Sequence, residues 1–198
     1  MFGRLPDLSC QTGLAQFASQ TTRKRCPGVV GVVSACAVSS DASLRESVLT
    51  WLKQEGLWSS ASPAEKGFLE AEQAAPKQVI RHSWDEEAVY VLGWALGLVP
   101  SLQPPITQAS TGGILEQIPA PGESVKSFLG EAKLRPAVEL QAAAEDLFDA
   151  HSWCRAAKDH NRPERHGYDI EVAQERHRAA NWLVCYENAE WDDVATDT

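Results

Sequence analysis

Apolar residues recur at helical spacing along most of the chain beyond residue 40. Leu44, Val48, Trp51 and Leu52 fall at i, i+4, i+7 and i+8, which predicts a helix from about Ala42 to Glu55, stopped by Gly56. Ser39-Ser-Asp41 supplies cap residues for it. Ser62-Pro-Ala-Glu65 has the form of a capping box with proline in the first turn, and predicts a short helix carrying Phe68 and Leu69 inward. Ser83-Trp-Asp-Glu86 has the same form and predicts the start of a central helix over 84–98, ended by Pro100. On it Trp84, Ala88, Val91, Ala95 and Leu98 form one face, Leu92 and Leu96 widen it, and Glu87 borders it. Gly93 and Gly97 lower its helical propensity but would let a neighbouring element come close. Residues 101–121 read as loop with a brief helix at 114–117, and a further short helix is expected at 123–129. The longest helix is predicted over Ala137 to Asp159, with Leu140, Ala143, Leu147, His151 and Cys154 on its inner line. The last runs over 170–186, with Val172, Ala179, Leu183 and Tyr186 inward and with Glu175 and Arg176 at the two edges of that stripe.

The N-terminal part has no such period. Residues 1–28 read as a poorly structured segment with a short helix near 13–19, and 29–38 is rich enough in valine to be a minor strand or a buried helix. Short extended pieces such as 78–80 are the available partners for a strand there. No internal repeat or long linker divides the rest. The expectation is a mainly α, single-domain helical bundle over 29–198, built around the central helix 84–98 and the C-terminal helix 170–186.

Charge narrows the range of partners. The chain has 198 residues and a formal net charge of -9, and its one basic run is Arg23-Lys-Arg25. Phosphate recognition needs a basic stripe, so nucleic-acid binding is not expected and a basic protein partner suits the chain better. The five cysteines, Cys10, Cys26, Cys36, Cys154 and Cys185, include no Cys-x-x-Cys pair, so neither a disulfide scaffold nor a zinc knuckle is suggested. The first residues lack a secretory layout, and the apolar run 29–38 is too short to span a bilayer. No membrane association and a cytoplasmic location are expected.

The chemistry-bearing residues gather on three of the predicted helices. Glu87, Asp146, Glu175 and Arg176, with His177 beside them, could line a catalytic cleft or a metal site, since facing bundle helices build such sites from carboxylate and histidine. The Glu-x-x-His ligand step is missing, because His177 follows Glu175 by two positions. A structural ion-pair network of Glu87, Asp146, Glu175 and Arg176 is therefore expected, with Glu87 and Asp146 as the partners of Arg176. His160 and His166 lie in a polar turn without a ligand set, and Cys154, three residues after His151, has apolar surroundings that make a thiol inert. No catalytic residue, metal or cofactor is expected.

Three groups of residues carry a family resemblance: Trp84 with Glu87-Ala88 and Trp94-Ala-Leu-Gly97; Asp146-Leu147 with Trp153 and Arg155; and Glu175-Arg-His177 with Asn181-Trp-Leu183, Trp191-Asp-Asp193 and Thr196-Asp-Thr198. In order and combination, over about Ser83 to Thr198, they resemble the domain-of-unknown-function family 4272. Ala180 departs from the pattern, standing where the family usually has leucine. The resemblance implies a helical fold and no established activity.

Two functions from different classes follow. One is a non-catalytic binding domain of the immunity type, neutralising a basic toxin through the acidic, tryptophan-bearing tail: Trp191, Asp192, Asp193 and Asp197. In that tail Trp191 is also expected to anchor the segment against the body. The other is a hydrolase-like enzyme with a cleft lined by Glu87, Glu175 and His177. Self-association is a third reading.

Overall fold

The computed structural model describes residues 42–164 and 166–198. The expected strand or helix at 29–38, the helix near 13–19 and the cap at 39–41 lie outside the described residues. Within them the structure is helical and contains no strand, so the fold is mainly α. The helices are α1 (Ala42–Gln54), α2 (Pro63–Glu70), α3 (Pro76–Ser83), α4 (Asp85–Ala95), α5 (Gly112–Leu115), α6 (Lys126–Glu131), α7 (Ala137–Asp159) and α8 (Ile170–Leu183). Single 3₁₀ turns follow at Trp58–Ser60, Tyr186–Asn188 and Trp191–Asp193.

Helix α4 is the centre: of its residues only Glu86 is exposed. A helix apolar on every side must be covered on every side. α8 covers one flank and runs antiparallel to it, since Glu87 meets Arg176 while Asp85, two residues earlier, meets Arg178, two residues later. α7 packs antiparallel on α8, bringing His151 to His177 and Cys154 to Tyr168. Leu140, Ala144 and Leu147 of α7 join Val91, Leu92 and Ala95 of α4 and Ala179, Ala180 and Leu183 of α8 in one core. Ile114 of α5 fits where Gly93 has no side chain: a Cβ there would lie 2.9 Å from Ile114 Cδ1 and Cγ2. That is the close approach the glycine suggested. A second apolar cluster joins Val48, Trp51 and Leu52 of α1 to Leu57, Phe68, Leu69 and Val125.

Several local expectations give way. Leu44 is 38% exposed, and Arg45 is buried instead, its guanidinium donating to the Ala71 and Glu72 carbonyls at the end of α2. Residues 78–80 are helical, because Pro76 opens α3 and the Gln78 side chain accepts from the Ala75 N–H at 3.1 Å. Ser83 does not cap α4: its hydroxyl donates backwards to the Ile80 carbonyl, and α3 runs into α4 through Trp84 at φ -73°, ψ -14°. The central helix stops at Ala95, not Leu98. Gly97 adopts φ +77°, and the N–H groups of Gly97 and Leu98 bond the Trp94 and Gly93 carbonyls at 2.9 Å each, a Schellman closure. α8 stops at Leu183, so Tyr186 lies beyond it and is 39% exposed. The Ser62 capping box and the bounds 137–159 agree with the sequence pattern.

Candidate functional site

Charges inside a protein persist only when paired and hydrogen-bonded, so the buried ones mark where the fold is specified. Arg176 is 2% exposed and Glu87 is 1% exposed. Arg176 Nε donates to Glu87 Oε2 at 2.7 Å, and its other nitrogens donate to the carbonyls of Gln103 (2.8 Å), Pro104 (3.4 Å) and Thr107 (3.1 Å). The second oxygen of Glu87 accepts the Ala109 N–H at 2.8 Å. The Tyr90 ring lies under the guanidinium, 4.8 Å from its centroid, and the Tyr90 hydroxyl accepts the Gln103 N–H at 3.0 Å. One ion pair between α4 and α8 thus holds the loop that joins α4 to α5. Residues 103–109 have no helical bonds of their own to satisfy these groups.

A second network sits two residues away on the same pair of helices. Asp85, 1% exposed, receives Arg178 Nη2 at 3.1 Å on one oxygen and lies 2.8 Å from His82 Nδ1 on the other. Burial by itself would raise the Asp85 carboxyl, but the His82 hydrogen bond and the fields of Arg178, His82 and Arg81 outweigh it and hold the group below its ordinary value. Arg178 Nε donates to Glu175 at 2.9 Å, and Arg81 reaches the same carboxylate at 3.4 Å. Arg178 also lies over the Trp191 indole, 4.6 Å from its centroid, and Trp182 meets that indole edge-on at 5.2 Å.

A third group is apolar in character. His151 and His177 are each 1% exposed, with their Nδ1 atoms 3.2 Å apart and Phe148 edge-on to His177. A single proton can sit between two facing Nδ1 atoms, so one ring donates and the other accepts. Burial first, and then the neighbouring His151, push His177 down to about 4; burial first, and then Arg155, lower His151. The Cys154 thiol, one turn along, is pushed up to about 11 by burial and by the carboxylates of Glu164 and Asp169. It is far from a thiolate at neutral pH.

The residues expected to act together are therefore distributed differently. Glu87 and Arg176 meet. Glu175 is half-buried and belongs to Arg178 and Arg81. Asp146 is exposed on α7 and is not among the partners of Arg176, whose hydrogen bonds go to Glu87 and the loop carbonyls. His177 faces His151 rather than the acids. Asp85, His82, Arg81 and Arg178 went unassigned in the sequence. The signal for them was the unbroken apolar run after Glu87, which requires α4 to be buried all round and hence Asp85 to need a partner too.

The tail divides in the same way. Trp191 is 5% exposed and anchors the segment, so its indole is not a surface group. Asp192 accepts the Ala64 N–H at 2.8 Å, supplying an acceptor to the first turn of α2. Asn181 donates to the Ala195 carbonyl at 3.0 Å. Asp193 and Asp197 are exposed. Among the described residues no group of three or more His, Cys, Asp or Glu is arranged to hold a metal ion, and no helix is long and apolar enough to cross a membrane.

A helical body whose central helix carries paired acids, matched by arginines two apart on the closing helix, is the architecture these residues define. The model of a domain of unknown function (DUF4272) matches residues 24–194, and the chain belongs to that family. Neither a curated protein nor a solved structure matches the chain.

Proposed function

We propose that the chain is a non-catalytic, cytoplasmic protein-binding domain of the immunity type, which neutralises a basic toxin by direct association. The observation that carries the reading is how the buried charges are engaged. Glu87, Asp85, Arg176 and Arg178 direct their hydrogen bonds to one another, to His82 and Glu175, and to the backbone, in the manner of groups that hold helices in register. A net charge of -9 is left to the rest of the chain, which favours encounter with a basic partner. Within the tail, Asp193 and Asp197 remain available to a partner, whereas Trp191 and Asp192 are engaged inside the chain.

The test is genetic and then physical. The product of the neighbouring gene is expressed alone and together with this chain. Rescue of growth, with a stoichiometric complex on gel filtration of the purified pair, is the expected result. Growth arrest that this chain does not relieve, or relief without a complex, overturns the reading.

A further inference from the structure

Three times among the described residues an arginine lies over an aromatic ring while pairing with a carboxylate. Arg135 lies 5.0 Å from the Trp94 centroid and bonds Glu139 at 3.1 Å. Arg176 lies 4.8 Å from that of Tyr90 and bonds Glu87 at 2.7 Å. Arg178 lies 4.6 Å from that of Trp191 and bonds Asp85 at 3.1 Å. The ring offers its negative face and the carboxylate fixes the fork, so the two together suit a guanidinium better than an ammonium.

On the outer side of α7 the ring and the acid occur, among the described residues, without the arginine. Trp153 is 45% exposed, and Asp149 stands one turn before it on the same exposed line, with Asp146 a further turn back. The inner side of α7 is the one packed on α8, so this line faces solvent. His166 stacks on both Trp153 (4.5 Å, 19°) and Tyr168 (5.1 Å, 21°), which themselves lie 6.2 Å apart at 16°, so the three rings form one cluster. The cluster is built rather than incidental: Glu164 accepts the N–H groups of both His166 (2.7 Å) and Tyr168 (2.9 Å), and Gly167 between them takes φ +74°. Among the described residues no cation lies over Trp153, although Lys53 and Lys66 flank the Trp58 ring elsewhere.

We propose that this face of α7 is the docking surface for a basic, arginine-bearing segment of a protein partner. A guanidinium of the partner seats on the face of Trp153 opposite the stacked His166 and pairs with Asp149, while Asp146 receives a second basic residue. The inference rests on the protein-binding reading and names where, and with what chemistry, that binding occurs.

The full chain, carrying 5-fluorotryptophan, is titrated with a Gly-Arg repeat peptide and with a Gly-Lys repeat of equal length, the Trp153 ¹⁹F signal being assigned from W153F. Saturable movement of that signal is expected, with the arginine peptide the tighter. W153A should weaken binding roughly fivefold, the size of an exposed cation–π contact, and D149N about threefold. E46Q, an exposed acid on α1, should leave it unchanged. An unmoved Trp153 signal, or equal weakening by D149N and E46Q, overturns the proposal. With the neighbouring gene product as ligand, tight binding retained by W153A and D149N overturns this surface but leaves the binding reading intact; absence of any complex removes that reading instead.

Discussion

Replacing Arg176 with alanine removes the only side-chain partner of Glu87 among the described residues. The carboxylate is then left 1% exposed with a single donor, the Ala109 N–H. Truncating one member of a buried, hydrogen-bonded ion pair costs about 3–5 kcal/mol, because the remaining charge cannot recover its water. The carbonyls of Gln103 and Thr107 also lose their donors. Both residues are exposed, so water replaces the arginine there and little further loss is expected. The total for R176A is therefore about 4 kcal/mol, which for a chain of this size lowers Tm by roughly 8–16 °C. Urea unfolding followed by circular dichroism measures it. Amide exchange adds a local readout: the Ala109 and Gln103 amides, held by Glu87 and Tyr90, should lose protection ahead of α7. The double variant E87Q/R176M leaves neither charge behind and should be less destabilised than the sum of its parts by about 2 kcal/mol. A loss below about 1.5 kcal/mol for R176A, or strict additivity in the cycle, would refute the reasoning, since either means that Glu87 is not held by this arginine.

Other perturbations reach other parts of the fold. His177 is lowered from 6.5 to about 4, so the unfolded chain takes up its proton first as pH falls. The stability tied to its neutral form is complete above 6.5 and lost as pH falls through 4, an effect of at most roughly 3 kcal/mol. H177F should flatten the fall in urea midpoint between pH 6.5 and pH 4; an unchanged slope would count against the buried pair as its source. G93A gains helical propensity but drives a methyl into Ile114, for a net loss of about 1–2 kcal/mol in thermal unfolding. Combining it with I114A should be clearly less costly than the sum of the two, and additive losses would mean that the contact is not tight. D192A removes the acceptor of the Ala64 N–H and should cost about 0.5–1 kcal/mol, with faster carboxypeptidase trimming of the tail. A tail no more sensitive than in the parent would show that Trp191 and the Asn181–Ala195 bond retain it without Asp192.

The helical class, the bounds of α7 and the capping box at Ser62 were legible because each rests on a local signal: a period or a cap. The pairing of Glu87 with Arg176 was legible because each lies at the edge of an apolar stripe. What escaped depends on information outside the local pattern. Asp85 and Arg178 sit two positions from Glu87 and Arg176, about 200° round the helix, and a one-faced wheel assigns them to solvent. Only complete burial of α4 brings both sides inward. Asp146 shows the opposite failure: its helix packs on α8 by one face, but Asp146 lies on the other and points out. Ser83 had the composition of a cap, yet its hydroxyl satisfies the Ile80 carbonyl, because Pro76 had already begun a helix upstream.

Asp192 meets Ala64 across 128 positions of sequence, and Arg178 meets the indole of Trp191. During synthesis, then, the first turn of α2 emerges long before the acid that completes it. A nascent chain ending at Leu183 would already have both members of each α4–α8 ion pair but no cover for the outer face of Arg178. Vectorial synthesis therefore delivers Trp191 and Asp192 after the elements they join, and these two residues latch early and late parts of the polypeptide together.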